Sequence, residues 1–408
     1  MTKYIIIGNS TAAIGAIEGI RSLDTTSPIT LFSSENHHTY SRPLISYLLE
    51  NKTTLEKMKY RDDNFYELNN VTVVYEKIVK INSDKKQVYT EANKEFSYDK
   101  LLVATGSRPF VPPTKGLDSV KKYFTFMSLD DALDLEKVAN STSKVLIIGA
   151  GLIGLKCAEC LQNKVNKITV IDLADRILSS ILDKDASEFM QKHLEKNGIN
   201  FILSQAVTSF NGNVAQIGDK NVEFDILVMA VGVRAQTELI RDIGGTVNRG
   251  IYVDTKMQTS IADIYSAGDC TEIYDISCDK VRPLPLLPNA YIGGNCAGIN
   301  MAGGEMVFDN AIPMNSIGLF GLHIITAGSY IGDIKEIQVP NGYKKLFYQD
   351  NYLKGYIVVG EIERAGIYTS LIRNKTPLDS IDFDLIAVNP TLIAFEKKVR
   401  KTKLGGKV

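Results

Sequence analysis

The sequence predicts an α/β protein built on two doubly wound parallel sheets, with a small α/β region after them. Three observations carry this. A unit of apolar strand, small-residue turn, helix and second strand occurs twice, opening at Lys3 and again at Lys144. In each unit an acidic residue, Glu35 or Asp172, closes the second strand. The strands are continuous apolar runs, as in sheets covered by helices on both faces.

At 408 residues the chain exceeds one core, so two or three domains are expected. Hydrophobic residues at 44% and charged residues at 23% argue against disorder, a coiled coil or a membrane bundle. Lys plus Arg number 46 against 47 Asp plus Glu, so the chain has no global bias toward nucleic acid or an anionic membrane. Five cysteines, odd in number and sparse, do not make a disulfide framework. The opening apolar run is too short for a signal peptide, and no apolar stretch approaches the roughly 18–20 residues of a membrane span. A cytoplasmic multidomain protein, monomeric or homodimeric, is the expectation.

Strand 3–7 runs into Gly8-Asn9-Ser10-Thr11-Ala12-Ala13, a helix extends to about Leu23, and strand 29–32 leads to Glu35. Residues 101–103 form a buried strand ending in Ala104-Thr105-Gly106. The proline-rich, aperiodic stretch from Ser107 to Gly116 reads as a crossover linker. Strand 144–148 enters Gly149-Ala150-Gly151-Leu152-Ile153-Gly154, a helix follows to about Gln162, and strand 167–171 ends at Asp172. Residues 244–250 break the chain, and a strand from Ile264 ends at Gly268-Asp269. Pro288 suits the first turn of a helix that runs to about Met301. Beyond it, strands over 344–348 and 353–359 and a helix over 362–373 carry no motif with assignable chemistry. The lysine-rich stretch from Lys397 to Lys403 reads as a solvated, frayed terminus.

Gly149, Gly151 and Gly154 form a full G-x-G-x-x-G between strand and helix. The first glycine permits the tight turn, the second lets backbone amides approach a pyrophosphate, and the third lets helix and strand pack. Ile153 sits within this turn, and the helix amino terminus favours phosphate charge. Asp172, about 20 residues on, would accept from ribose hydroxyls and repel a 2′-phosphate, selecting NAD over NADP. The first turn, Gly8-x-Ser10-x-x-Ala13, is less regular but small enough for the same geometry. Glu35 would be its ribose carboxylate, with Ser34 beside it. Two dinucleotide sites on one chain suggest that one nucleotide reduces the other. Gly268-Asp269 places a carboxylate where it could accept from a polyol such as ribitol. The helix from Pro288 would offer positive partial charge to an anionic reduced flavin.

The order Gly8-Asn9-Ser10, Tyr40-Ser41-Arg42-Pro43, Ala104-Thr105-Gly106, Gly149 to Gly154, Val231-Gly232-Val233 and Gly268-Asp269 resembles the FAD-dependent pyridine nucleotide oxidoreductases. Within them it is most similar to the branch of NADH:rubredoxin reductase and the flavoprotein part of assimilatory nitrite reductase. The resemblance implies two Rossmann-like dinucleotide-binding domains of the glutathione-reductase type plus a small carboxy-terminal α/β domain. The FAD-binding domain would come in two parts, 1–116 and 250–309, around an NAD-binding domain over 117–249. The carboxy-terminal domain would span 310–408. By the same resemblance Arg42 and Pro43 lie beside the flavin and its diphosphate, and Ile78 meets the adenine through its backbone. Arg108 follows the Ala104-Thr105-Gly106 strand, Asp269 holds the ribityl chain, and Asn289 and Ala290 face the ring edge. Val231 and Gly232 belong to the nucleotide site.

Departures from the family pattern are informative. Related reductases of the oxygenase-ferredoxin type carry a lysine where Tyr47 stands, paired with a glutamate where Lys156 stands. That ion pair is absent here. Lys156 then either reaches the flavin N5 from the other side, as a candidate catalytic cation, or lies along the helix surface. Arg234-Ala235-Gln236 replaces the usual proline–asparagine. Disulfide reductases of the superfamily carry C-x4-C or C-x-x-C motifs near the flavin, and peroxidase and oxidase members a cysteine near position 42, which here is Arg42. Cys157 and Cys160 follow helical spacing, and a structural zinc site wants four ligands, so no metal is expected. His37 and His38 read as solvated loop residues. The resemblance implies an FAD enzyme that takes hydride from NADH and passes electrons singly to rubredoxin or an iron–sulfur protein. An NADH oxidase and a non-enzymatic NADH sensor are the alternatives.

Overall fold

Apolar, β-branched runs form two five-stranded parallel sheets in a computed structural model that describes residues 1–396, 399 and 400. The first sheet has the order Ile264–Ser266, Lys100–Val103, Tyr4–Ile7, Ile29–Phe32, Val71–Val74. The second has the order Ile199–Ile202, Lys167–Ile171, Lys144–Ile148, Ile226–Met229, Tyr123–Phe124. Every pairing in both is parallel. Strand Tyr4–Ile7 is buried along its whole length, as a strand covered on both faces must be.

An edge strand of the first sheet, Ile264–Ser266, comes after the whole second sheet in sequence. The chain crosses between the two on an antiparallel ribbon, Ser107–Pro109 against Val233–Ala235, with Arg108 opposite Arg234. The stretch expected as an aperiodic linker therefore begins with a strand. Its proline stands at the end of the short pairing, where a missing N–H costs little.

Helix Thr11–Arg21 crosses helix Leu287–Met301 at backbone contact. A Cβ on Gly15 or Gly19 would stand 2.4 Å from the carbonyl oxygens of Tyr291 and Asn295. One on Gly294 would stand 2.0 Å from that of Ala12. This crossing brings the amino terminus of Leu287–Met301, with Pro288 in its first turn, to the end of the first sheet.

The third sheet is antiparallel, in the order Met314–Leu319, Leu322–Gly328, Tyr352–Val359, Gly342–Gln349, Asp333–Val339. Two of these strands were expected. Of the others, Met314–Leu319 and Asp333–Val339 are the sheet edges, whose polar residues give no continuous apolar run. The helix expected over 362–373 begins at Gly366, because Arg364 takes a left-handed φ of 60°. Ile317, Leu319, Ile324 and Val359 share one core with Val145, Ile147, Leu155 and Leu161, so this sheet packs on the second. Of the lysine-rich tail, Lys397, Lys398, Lys401 and Lys403 lie outside the described residues. No helix among the described residues is long and apolar enough to cross a membrane.

Candidate functional site

Both glycine turns share one geometry. Gly8 sits at φ +118° and Gly149 at φ +111°, a conformation that strains any side chain. A Cβ on Gly8 would meet the Ala104 carbonyl oxygen at 2.1 Å, and one on Gly149 the Ala230 carbonyl oxygen at 2.2 Å. The Gly8 N–H donates to Phe32 O at 2.8 Å and the Gly149 N–H to Ile171 O at 2.7 Å. Each turn then opens a helix, Thr11–Arg21 after Ser10 and Leu152–Leu161 after Gly151. Ser10 makes no side-chain cap bond, so first-turn N–H groups face outward for an anion. Ala13 is fully buried beneath the first turn. Gly154 packs so closely that a Cβ would stand 2.0 Å from Gly149 O, whereas one on Gly151 would meet nothing within 4 Å.

The first turn faces a cavity of 320 Å³ that adjoins a second of 310 Å³. Gly8, Ser34, Thr105, Arg108 and Gln236 line both. Ser10, Glu35, Arg42, Ala104, Gly106, Gly268, Asp269 and Ala290 line the first, and Ile78 lines the second. Residues far apart in sequence thus meet on one elongated hollow. Burial pushes the Asp269 carboxyl above the usual range, while Arg42 and Ser107 pull the other way. The Ser107 hydroxyl stands 3.5 Å from it, a weak bond for a carboxylate. An under-satisfied carboxyl in a cleft marks a place for hydroxyl donors of a ligand. A molecule with its diphosphate over helix Thr11–Arg21 and a polyol on Asp269 fits this hollow, and FAD has that form.

Glu35 lines the cavity but its carboxylate is already engaged. Arg42 forms an ion pair with it, and the Tyr40 hydroxyl donates to Glu35 Oε2 at 2.7 Å while accepting from Leu129 N–H at 3.0 Å. Register places Ser33, not Glu35, at the position equivalent to Asp172. The Ser33 N–H donates to Val74 O as the Asp172 N–H donates to Ile202 O. At the second turn Asp172 accepts from Ala150 N–H at 2.6 Å and Ala174 N–H at 2.8 Å, which sets its carboxylate at the mouth of the turn. Ile153 is half-buried in the helix behind it. Val231 and Gly232 follow the neighbouring strand Ile226–Met229, and Gly232, at φ +103°, leaves open space beside it.

Some expected placements differ. Lys156 does not line the cavity. Its ammonium donates to Glu159 Oε2 at 2.7 Å and to the Gly318 carbonyl at 2.5 Å, which turns it toward the third sheet. Pro43 is exposed on the single turn Arg42–Leu44, and Arg42 alone of that pair reaches the cavity. Asn289 points away from the cavity wall, donating to Ile312 O at 3.1 Å, while Leu287 and Ala290 line the wall. Arg108 is largely exposed and pairs with Glu238 at 2.7 Å.

The histidines are not plain solvated loop residues. His37 and His38 both line the first cavity. His37 Nε2 stands 2.8 Å from Asp130, and the His38 ring packs on Tyr66 at 4.9 Å between centroids. Their partners lie far off in sequence, and only their position next to Tyr40 hinted at the site. Gln236, Ser107 and Asp131 also line the cavity and were not foreseen. None of the five cysteines lines either cavity. Cys160 donates to the Cys157 carbonyl at 3.2 Å, and its hydrogen bonding with Cys157, together with burial, pushes its thiol up.

Comparison with known proteins agrees with this geometry. The model of the pyridine nucleotide-disulphide oxidoreductase family matches residues 2–302. The NADH-dependent phenylglyoxylate dehydrogenase subunit epsilon of Aromatoleum evansii is 30% identical over 410 residues, covering 97% of each chain. The nitrite reductase [NAD(P)H] of Bacillus subtilis is 31% identical over 390 residues, 92% of this chain but 48% of that protein, so the chain spans about half its length. The NADH oxidase of Methanocaldococcus jannaschii is 30% identical over 370 residues, 86% of this chain and 82% of that one. Among solved structures, the covalent putidaredoxin reductase–putidaredoxin complex gives a TM-score of 0.88 at 20% identity, covering 100% of this chain and 99% of that chain. The NADH:rubredoxin oxidoreductase of Clostridium acetobutylicum gives 0.74 at 24% identity, covering 95% and 99%. These two likenesses concern the fold.

Proposed function

Because the chain belongs to the pyridine nucleotide-disulphide oxidoreductase family, we propose that it takes electrons from NADH and delivers them to a small iron protein, rubredoxin or an iron–sulfur protein. It is an NAD(P)H-dependent flavin oxidoreductase that uses FAD and NAD. One observation carries the choice of acceptor. Cys157, Cys160, Cys270 and Cys296 are buried, and no cysteine lines the cavity. A disulfide cannot relay electrons out of such a site, so a one-electron carrier at its rim is the natural outlet.

Bound FAD would supply the chemistry, accepting hydride from NADH and releasing electrons singly. The overall balance converts NADH and two oxidised carriers into NAD⁺, a proton and two reduced carriers. The protein's own groups bind and orient. The turn at Gly8 and the start of helix Thr11–Arg21 hold a diphosphate, Arg42 offsets its charge, and Asp269 fixes the polyol. Asp172 holds the ribose of NADH and repels a 2′-phosphate, which favours NADH over NADPH. The Aromatoleum relative is named as a subunit, and the Bacillus relative is about twice the length of the match. Both fit a chain whose electrons leave to another centre.

A steady-state assay with NADH and rubredoxin, a [2Fe–2S] ferredoxin or oxygen tests the reading. Turnover well above the oxygen rate with one of the iron proteins is expected. Full turnover with oxygen alone would replace the reading by an NADH oxidase, the activity for which the Methanocaldococcus relative is named.

A further inference from the structure

Gln236 stands where the chain leaves the return strand Val233–Ala235 and enters the short helix Glu238–Arg241. Hydrogen bonds fasten it to the turn Ala104-Thr105-Gly106. Gln236 Nε2 donates to Thr105 O at 2.8 Å, and Thr105 Oγ1 donates back to Gln236 O at 2.8 Å. The Gln236 N–H donates to Gly106 O at 2.9 Å. A carbonyl oxygen opposite the side chain requires its NH₂ end there, so the orientation of the amide is determined. Gln236, Thr105 and Arg108 all line both cavities, at the place where the two adjoin.

We propose that Gln236 is a positioning residue for FAD, its amide clamping the Thr105 peptide that forms the wall common to both cavities. The inference rests on the FAD reading of this hollow. The two bonds made by the Gln236 main chain survive any substitution of its side chain, whereas the bond to Thr105 O does not. Without Nε2 the half-buried Thr105 carbonyl loses its donor, and the turn gains freedom that a ligand must remove on binding. The neighbouring Arg108–Glu238 pair ties the ribbon to the start of helix Glu238–Arg241, but both side chains are exposed and solvent screens the contact. The clamp closes the return crossover onto the first glycine turn, where Gly8 already touches Ala104. Its bonds lie on residues 105 and 106, not on the second glycine turn, so FAD retention should respond and NADH recognition should not.

The test compares purified wild type with Gln236→Ala, Gln236→Asn and Gln236→Glu, reading the FAD dissociation constant from flavin release and KM for NADH in the reloaded enzyme. Alanine and asparagine, the latter one methylene too short, should weaken FAD about five- to tenfold with KM for NADH unchanged. Glutamate keeps the length but faces the Thr105 carbonyl with an acceptor. Gln236→Glu should bind FAD poorly at neutral pH and recover toward wild type as pH falls and its carboxyl becomes a donor. Glu35, His37, His38, Tyr40, Arg42, Glu76, Lys77, Arg108, Asp131, Glu238 and Asp269 share the cavity walls with it. They are present in wild type and Gln236→Ala alike, so their own titration cancels in the comparison. Equal FAD affinity in all four proteins, or a Gln236→Glu profile that tracks alanine at every pH, overturns the inference. Failure of wild type to bind FAD overturns the flavin reading itself.

Discussion

The Lys156 ammonium stands 5.1 Å from the centre of the Tyr47 ring and 2.5 Å from the Gly318 carbonyl, joining three parts of the molecule. Tyr47 lies in helix Ile45–Leu49, Lys156 in helix Leu152–Leu161, and Gly318 in the edge strand of the third sheet. Glu159 completes the joint, pairing with Lys156 and accepting from the Phe320 N–H at 2.6 Å. A cation so placed holds the third sheet against helices Ile45–Leu49 and Leu152–Leu161.

Lys156→Met should therefore act on stability. Glu159 is nearly buried and would lose its charge partner. Lys156 is 20% exposed, so solvent tempers the loss, and a cost of about 1–3 kcal/mol is expected. Denaturant unfolding of wild type and variant measures it. Bound FAD and its reduction by NADH should persist. A changed flavin potential at unaltered stability would contradict this role.

Asp269 couples stability to pH. Burial raises its carboxyl above the ordinary value, so the folded apo-protein holds that proton more tightly than the unfolded chain. Its stabilising contribution is full below the ordinary carboxylate pKa and is lost as pH rises through the raised folded value. Asp269→Asn removes that loss. The apo variant should be more stable than wild type at neutral pH, while FAD binds more weakly because the ribityl hydroxyls lose a charged acceptor worth about 1.5–3 kcal/mol. Apo-protein unfolding across pH, with FAD titration, checks both signs.

On the proposed reading Asp172 sets the nucleotide preference. NADH should be used well ahead of NADPH, and Asp172→Ala should raise KM for NADH roughly 10- to 100-fold as charged hydrogen bonds are lost. The gap to NADPH should narrow. Steady-state kinetics with both nucleotides decide it, and an unchanged preference would remove Asp172 from the ribose site.

The thiols should be dispensable. Hydrogen bonding with Cys157 and then burial push the Cys160 thiol up, and burial pushes that of Cys296 up to about 11. Thiolate is scarce in such environments, so alkylating reagents should leave the folded enzyme active. Turnover after exposure to iodoacetamide, and of Cys157→Ala with Cys160→Ala, measures this. Loss of turnover in the doubly substituted protein at retained fold would restore a disulfide mechanism.

The parts of the fold legible in sequence are those with local causes. Gly8, Gly149 and Gly154 are dictated by backbone conformation or close approach, and the strands beside them by burial on both faces. Distant partners hid the rest. Glu35 is held by Arg42 and Tyr40 from the following turn, and Asn289 by Ile312 from the connection to the third sheet. His37 and His38 owe their place to Asp130 and Tyr66. One signal was present and unread. Gly15 and Gly19, and likewise Gly294 and Gly298, lie one helical turn apart on facing sides of two crossing helices.

Anaerobic titration of the yellow holoenzyme with NADH probes the proposed electron path end to end. About one equivalent of NADH should bleach the flavin, and oxidised rubredoxin or an iron–sulfur protein, added without air, should restore the colour as it becomes reduced itself. Bound FAD that ignores NADH, or flavin that stays bleached with every iron protein and recovers only in air, would contradict it.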